Sequence, residues 1–356
     1  MELFCYQAEC GDAIRIRYNG SDGNSHNVFF DSGYERTYGN VLEKEINVLI
    51  QHGEVVDLWI ISHIHDDHIG GVIKYIKSIN DGEVKDIVKR WLYNSPRNYT
   101  PSAEDKNISS AKSIRQGDIL YDYLFRRNML PEFDVTSDAN PIDLFGLKIT
   151  FLSPSSYILD ELRKKYKDER LFERNEDESI SQAKSTQVYD YHWPLEYFDL
   201  SSFEEDSSIE NKSSISTLIE FNDKKILWLA DSHPSDIHSS LVDLGFSVHN
   251  PLMCDFVIVS HHASKGNNNS QLFSIIKCNK YIISSNGENI HCLPTKEALS
   301  RIVRNKYREL NIPYNLYFTY DTPNLRSIFT SDDSSVYEKW NFVSIYSDKK
   351  QLSFLI

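Results

Sequence analysis

A chain of 356 residues with 40% hydrophobic and 12% aromatic side chains has a globular composition, which excludes wholesale disorder. Its formal charge of −14 counts against tight, autonomous nucleic-acid binding, because phosphate contacts supply most of that affinity. No apolar run approaches the ~20 residues that span a bilayer, and the N-terminus has an acid at position 2 and no apolar signal core, so a soluble, cytoplasmic protein is expected.

Residues 2–7 and 13–18 read as strands joined by "ECGD", and 27–33 ("NVFFDSG") as a third. Apolar residues at helical spacing over 40–53 end at Gly53, a helix with a glycine stop. "VVDLWIIS" (55–62) is uninterrupted apolar chain, as expected of a strand buried on both faces. Directly after it stand His63, His65, Asp66, Asp67 and His68. Five titratable side chains that close together fit a core poorly and suit a cation well. Helical spacing resumes in "GVIKYIKSI", and strands over 87–95 and 147–155 flank a helix at 111–128. Residues 155–212 are charged and serine-rich with few apolar runs, an insertion expected to form helices or to stay partly disordered. A hairpin follows at 215–221 and 224–232, then a helix to about 244 and a strand at 255–260 running into "HHASKGNNN". A strand at 280–288, a helix over 294–310 with proline at its start, and strands near 315–320, 325–330 and 341–346 close the chain. The class is α/β, read as one domain over 1–356 with the inserted charged segment. Cys5, Cys10, Cys254, Cys278 and Cys292 show no CxxC spacing, so buried reduced thiols are expected.

Four places share one design, in which a buried strand ends in a metal-competent group: Asp31, His63 to His68, Asp231, and His261–His262. Ligands of α/β sheets collect beyond the carboxyl ends of strands, so the four groups are expected along one sheet edge. His63 and His65 alternate across one residue and can aim at one ion; Asp67 and His68 can reach a second. Asp231 can bridge two ions about 3.5–4 Å apart. This mixed donor set suits two divalent ions, zinc first, with manganese or iron as alternatives. Asp31 is expected to orient a ligating histidine. Asp66 is read as solvated, His26, His52, His233, His238 and His249 as structural, and Gly266 to Asn269 as a turn.

The run His63-x-His65-x-Asp67-His68 resembles the HxHxDH signature of the metallo-β-lactamase fold. "AECGDAIRI", "FFDSG", "NKSSISTLIEFNDKKILWLAD", "VSHHAS" and "SSNGENIHCLP" are similar, in order, to motifs of one branch: the soluble domain of the competence DNA-uptake channel ComEC and its stand-alone relatives. The similarity runs from about residue 4 to 330. It implies a four-layer αβ/βα sandwich, with His63, His65, Asp67, His68, Asp231 and His262 as metal ligands and Asp67, His261 and His291 as catalytic groups. No third-motif histidine precedes Asp231; Asn211, Ser214 and His192 are the candidates for that place. The channel itself is absent, so no transport role carries over.

The implied function is a dinuclear metal-dependent hydrolase of phosphodiesters, a nuclease first, with small or cyclic nucleotides as the nearest alternative. A further alternative is an effector or binding subunit regulated by a partner, since stand-alone members of this branch accompany ATPases. A nucleic-acid substrate requires a local basic track, for which Arg126, Arg127, Lys164, Lys165 and Lys265 are the candidates, or a partner that supplies one.

Overall fold

Short apolar segments build two mixed sheets. The computed structural model describes residues 1–95, 112–172 and 188–356, so the stretch 173–187 of the expected insertion lies outside the described residues. Strands β1 (Glu2–Tyr6), β2 (Ile14–Asn19), β3 (Ser25–Phe30), β4 (Leu58–Ile60) and β5 (Trp91–Leu92) belong to the first sheet. The second sheet takes β6 (Ile142–Leu144), β7 (Leu147–Ser153), β8 (Ser216–Phe221) and β9 (Lys224–Trp228). A small parallel pair, β10 (Leu252–Met253) with β12 (Ile276–Lys277), stands apart. The second sheet continues through β11 (Phe256–Ile258), β13 (Lys280–Ile283), β14 (Tyr314–Phe318) and β15 (Phe342–Tyr346), before β16 (Gln351–Leu355) returns to the first. Strand orders are β16-β1-β2-β3-β4-β5 and β15-β14-β13-β11-β9-β8-β7-β6.

The inward faces of the two sheets meet in one apolar layer, where Ile16, Val28, Phe30 and Ile60 of the first pack with Ile149, Ile219, Ile226, Trp228 and Ile258 of the second. Helices cover the outer faces. On the first sheet lie α1 (Glu35–Thr37, continued by a wider turn to Leu42), α2 (Glu43–Gln51), α3 (Asp66–Asn80), α4 (Lys112–Arg126) and α5 (Ser156–Phe172). After the short α6 (Ile209–Lys212), α7 (Pro234–Asp243), α8 (Ser270–Ser274) and α9 (Lys296–Val303) cover the second. Burying apolar area on both faces of each sheet requires this helix–sheet–sheet–helix order. The molecule is a four-layer α/β sandwich of two mixed sheets flanked by helices. Among the described residues no helix is long and apolar enough to cross a membrane.

Three expectations need correction. "LRSIFT" is no strand: Thr322 caps Leu325 N–H and Pro323 opens helix α10 (Pro323–Arg326). The helix expected over 294–310 covers only Lys296–Val303, with Thr295 rather than Pro294 as its cap. The edge strand β16 has no counterpart in the sequence reading.

Candidate metal centre

The four polar groups do not share one sheet edge. Asp31 and the His63–His68 run follow β3 and β4, neighbours in the first sheet, whereas Asp231 and His261–His262 follow β9 and β11, neighbours in the second. All four strands end at the same rim of the sandwich, so the centre is built across two sheets.

Asp231 lies at its middle, 1% exposed. Its Oδ1 faces His68 Nε2 at 3.3 Å and His262 Nε2 at 3.7 Å. Its Oδ2 faces His63 Nε2 at 3.8 Å and His261 Nε2 at 3.7 Å. Donor atoms gather in two groups around it: Asp67, His68, Asp231 and His262, and His63, His65 and Asp231. Among the described residues the Nε2 atoms of His63, His68 and His262 and Oδ1 of Asp231 are buried without a hydrogen-bond partner. Unpartnered polar atoms are costly inside a protein, and here they converge on one volume. The residues present fit one or two divalent ions, and imidazole with carboxylate matches zinc, manganese or iron.

A layer of acceptors stands behind the rings. Asp31, fully buried, accepts from Ser62 N–H at 2.7 Å and from Ser62 Oγ at 2.6 Å, and pairs with His68 Nδ1 at 2.6 Å. With its proton on Asp31, the Ser62 hydroxyl is left to accept from His63 Nδ1 at 3.0 Å. One carboxylate thus fixes both Nδ1 atoms as donors and turns both Nε2 atoms toward the centre. Asp12, missed by the sequence reading as a site residue, faces His262 Nδ1 at 3.8 Å and accepts from Trp228 Nε1. Its neighbour Gly11 is required by packing, because a Cβ there would sit 2.1 Å from the Asp67 carbonyl oxygen. "GD" in the first turn therefore combines close approach with a carboxylate behind a ring.

The turn after β11 is strained. His261, His262 and Ala263 take φ of 47°, 53° and 65°, three successive left-handed residues without a glycine. Such positions cost of order 1–3 kcal/mol each and persist where the surroundings impose them. Here the turn sends two consecutive imidazoles to opposite oxygens of one carboxylate.

The expected "GNNN" turn is a further correction. Asn267 and Asn268 are fully buried. Asn267 Oδ1 meets His261 Nδ1 at 2.8 Å while its amide donates to the Asp231 carbonyl and to Asp206 Oδ2. Asp206 arrives from the inserted segment and also accepts from Asn211 Nδ2 at 2.7 Å. No periodicity marks Asp206 or Asn267, which is why they were missed. Asp66 is not simply solvated, since Gln116 of α4 donates to it at 2.6 Å. His192 is exposed against Trp193, with Nδ1 on the Tyr189 carbonyl, and Ser214 uses its carbonyl for the hydroxyls of Ser153 and Ser232. Asn211 approaches His261 Nδ1 at 3.5 Å. His192 belongs to neither donor group, while Asn211 Oδ1 and Ser214 Oγ are buried without a hydrogen-bond partner.

Charge is divided unevenly over the centre. Burial, then His68 and His65, holds His63 well below the usual imidazole range, and burial lowers His65 despite Asp67 and Asp231. Burial would also lower His68, but Asp231, Asp67 and Asp31 outweigh it and raise it well above that range. His262 is likewise raised, Asp231 and Asp67 overcoming burial. Burial would raise Asp231, yet His68, His261 and His262 hold it well below the carboxylate range. The two lowered rings lie on the His63–His65 side and the two raised ones on the Asp67–His68–His262 side. Ion binding to the Asp67–His68–His262 side should therefore release protons and weaken as pH falls, starting above the ordinary imidazole range. Calorimetric zinc titrations in buffers of different ionisation enthalpy should show that release; enthalpies independent of buffer would contradict it.

Beside the centre opens a cavity of about 290 Å³ lined by Val188, Asp190, His261, Ser264, Lys265, His291, Cys292, Leu293 and Thr295. His291, exposed at its rim, is held below the usual imidazole range by partial desolvation and then by His261. Arg301, 1% exposed, braces the cavity loop through the carbonyls of Lys265 and Asn268 at 2.6 and 2.9 Å.

The family model described as the metallo-beta-lactamase superfamily matches residues 16–125, which contain the His63–His68 run. No curated protein matches the chain. Among solved structures, CmlA, a diiron beta-hydroxylase from Streptomyces venezuelae, is 11% identical with a TM-score of 0.42, covering all of this chain and 54% of CmlA. A mutant of the same hydroxylase gives 12% and 0.41 with equal coverage. The metallo-beta-lactamase fold protein YhfI from Bacillus subtilis is 11% identical with a TM-score of 0.41 over the full length of both chains. The chain spans about half the length of the hydroxylase it matches. Its relationship to the metallo-beta-lactamase superfamily is one of fold, and on that fold it carries clustered His and Asp side chains able to hold one or two divalent ions.

Proposed function

We propose that the chain is a dinuclear metal-dependent hydrolase of phosphodiesters, with a nucleic-acid strand as its first substrate class. One observation carries the dinuclear reading: a single buried carboxylate, Asp231, presents its two oxygens to two separate pairs of histidines. His63, His65, Asp67, His68, Asp231 and His262 would hold the ions. Two such ions, when bound, supply Lewis-acid activation of water and of phosphoryl oxygens. The phosphodiester is supported by the ComEC-type motifs and by the cavity, where Ser264 and Lys265 offer a hydroxyl and a cation to phosphate oxygens. His291, neutral near pH 7, is suited to donating an N–H hydrogen bond to a developing oxyanion rather than a full proton.

A second reading, small or cyclic nucleotides, is supported by the basic residues. Lys165 is paired with Glu210 at 2.6 Å, and Arg127 and Lys265 face Asp86 and Glu297 at 3.8 Å each. Three of the five candidates for a phosphate track are thus partly neutralised, and a long strand would need a partner's basic surface, such as that of an ATPase. Cleavage of single-stranded DNA, RNA and cyclic nucleotides across a salt series separates the two. Strand cleavage should fall steeply with salt and small-nucleotide turnover should not. An aryl phosphodiester should be hydrolysed and a chromogenic cephalosporin left intact. Hydrolysis of the cephalosporin alone would reverse the assignment.

A further inference from the structure

We infer that His261 is the missing nitrogen ligand on the His63–His65 side of the centre, so that both members of the His261–His262 pair bind metal, one on each side of Asp231. The inference rests on the dinuclear reading above and deepens it.

Four rings surround Asp231. Three turn Nδ1 outward to a hydrogen-bonded oxygen, Ser62 Oγ for His63, Asp31 for His68 and Asn267 for His261, while His262 Nδ1 faces Asp12 at 3.8 Å without a hydrogen bond. In each, Nε2 turns inward to Asp231, at 3.8, 3.3, 3.7 and 3.7 Å respectively. The oxygens divide them in pairs, and His261 shares Oδ2 with His63.

The tautomer of His261 is fixed by its neighbour. Asn267 Nδ2 donates to the Asp231 carbonyl at 3.0 Å and to Asp206 Oδ2 at 3.2 Å, which sets the amide so that Oδ1 faces the ring. An amide oxygen only accepts, so His261 Nδ1 carries the proton and Nε2 presents a lone pair to the centre. A neutral hydrogen-bond donor to substrate would need the opposite tautomer. A metal ligand needs this one.

His261 is not in the tightest donor group of its side, which is His63, His65 and Asp231. Its side chain is 22% exposed, against 2% for His63 and 1% for His262, so it has the freedom to close on an ion held by the other three. The left-handed turn at 261–263 is the backbone that sends these consecutive rings to the two oxygens of Asp231, and such strain collects at functional sites.

The test is ion binding, measured without turnover. Zinc and cobalt(II) are titrated into metal-free wild type, His261→Ala, His261→Gln, Asn267→Leu and, as a control, His291→Ala. Wild type and His291→Ala should take up two ions. Both His261 variants should keep one at wild-type strength and bind the other at least ~100-fold more weakly, with an altered cobalt absorption spectrum. Asn267→Leu, which removes only the acceptor, should weaken the same ion by about 10–100-fold. Should the His261 variants fold poorly, the cadmium-113 resonances of wild-type protein count nitrogen donors directly, and two nitrogens rather than three on the first side would overturn the assignment. Two ions held at wild-type affinity by His261→Ala would overturn it alone and return the residue to a catalytic role. Wild-type protein that binds no ion would overturn the dinuclear centre as well.

Discussion

Asp231→Ala is expected to empty the centre: protein loaded with zinc should fall from about two ions per chain to fewer than about one, with hydrolysis reduced at least ~10³-fold. Each oxygen of this carboxylate serves a different pair of histidines, and Asp231 belongs to both donor groups, so its loss removes a ligand from each. Asp231→Asn keeps the volume and one oxygen, and should retain one ion more often than two. Elemental analysis of dialysed protein reads the result. Two ions retained in Asp231→Ala would mean that the histidines hold them without a bridge, and the two-sided geometry would lose its meaning.

The second large effect is on stability and needs no metal. Asp31→Ala removes the common partner of Ser62 N–H, Ser62 Oγ and His68 Nδ1, all fully buried. Breaking a buried ion pair from one side costs about 3–5 kcal/mol, because the partner stays buried without compensation. Denaturant unfolding of metal-free protein should show a loss of that order, and Asp31→Asn a smaller one. The same variant should bind both ions about 10–100-fold more weakly, since the tautomers of His63 and His68 are both released. A loss below ~1 kcal/mol would indicate that water replaces the carboxylate and that the layer behind the rings is dispensable.

The sequence revealed the centre more fully than it revealed its supports. A buried strand needs a continuous apolar run, and a ligand beyond its end needs a polar group at once, so "LWIISHIHDDH", "ILWLAD" and "FVIVSHH" each announce both. What stayed hidden has no local pattern. Asp206 and Asn267 act through one another and through His261, from segments far apart in sequence. Asp12 gains its role only once β1 and β2 place it behind His262. The strand expected at 325–330 failed for a readable reason, since Thr322-Pro323 is a helix start and was outweighed by the β-forming "SIFT". That two sheets, not one, supply the ligands could not be read, because strand order is a long-range property.

The last strand has a consequence for anyone who shortens or tags this protein. β15 lies on the rim of the second sheet, and within a few residues the chain crosses to pair β16 antiparallel with β1, from Glu2 opposite Leu355 to Tyr6 opposite Gln351. A variant ending before residue 351 would leave a row of unpaired amides and carbonyls along β1. Such a bare margin invites strand addition from any neighbouring chain, so the shortened protein should self-associate while its metal centre, at the other end of the strand order, stays intact.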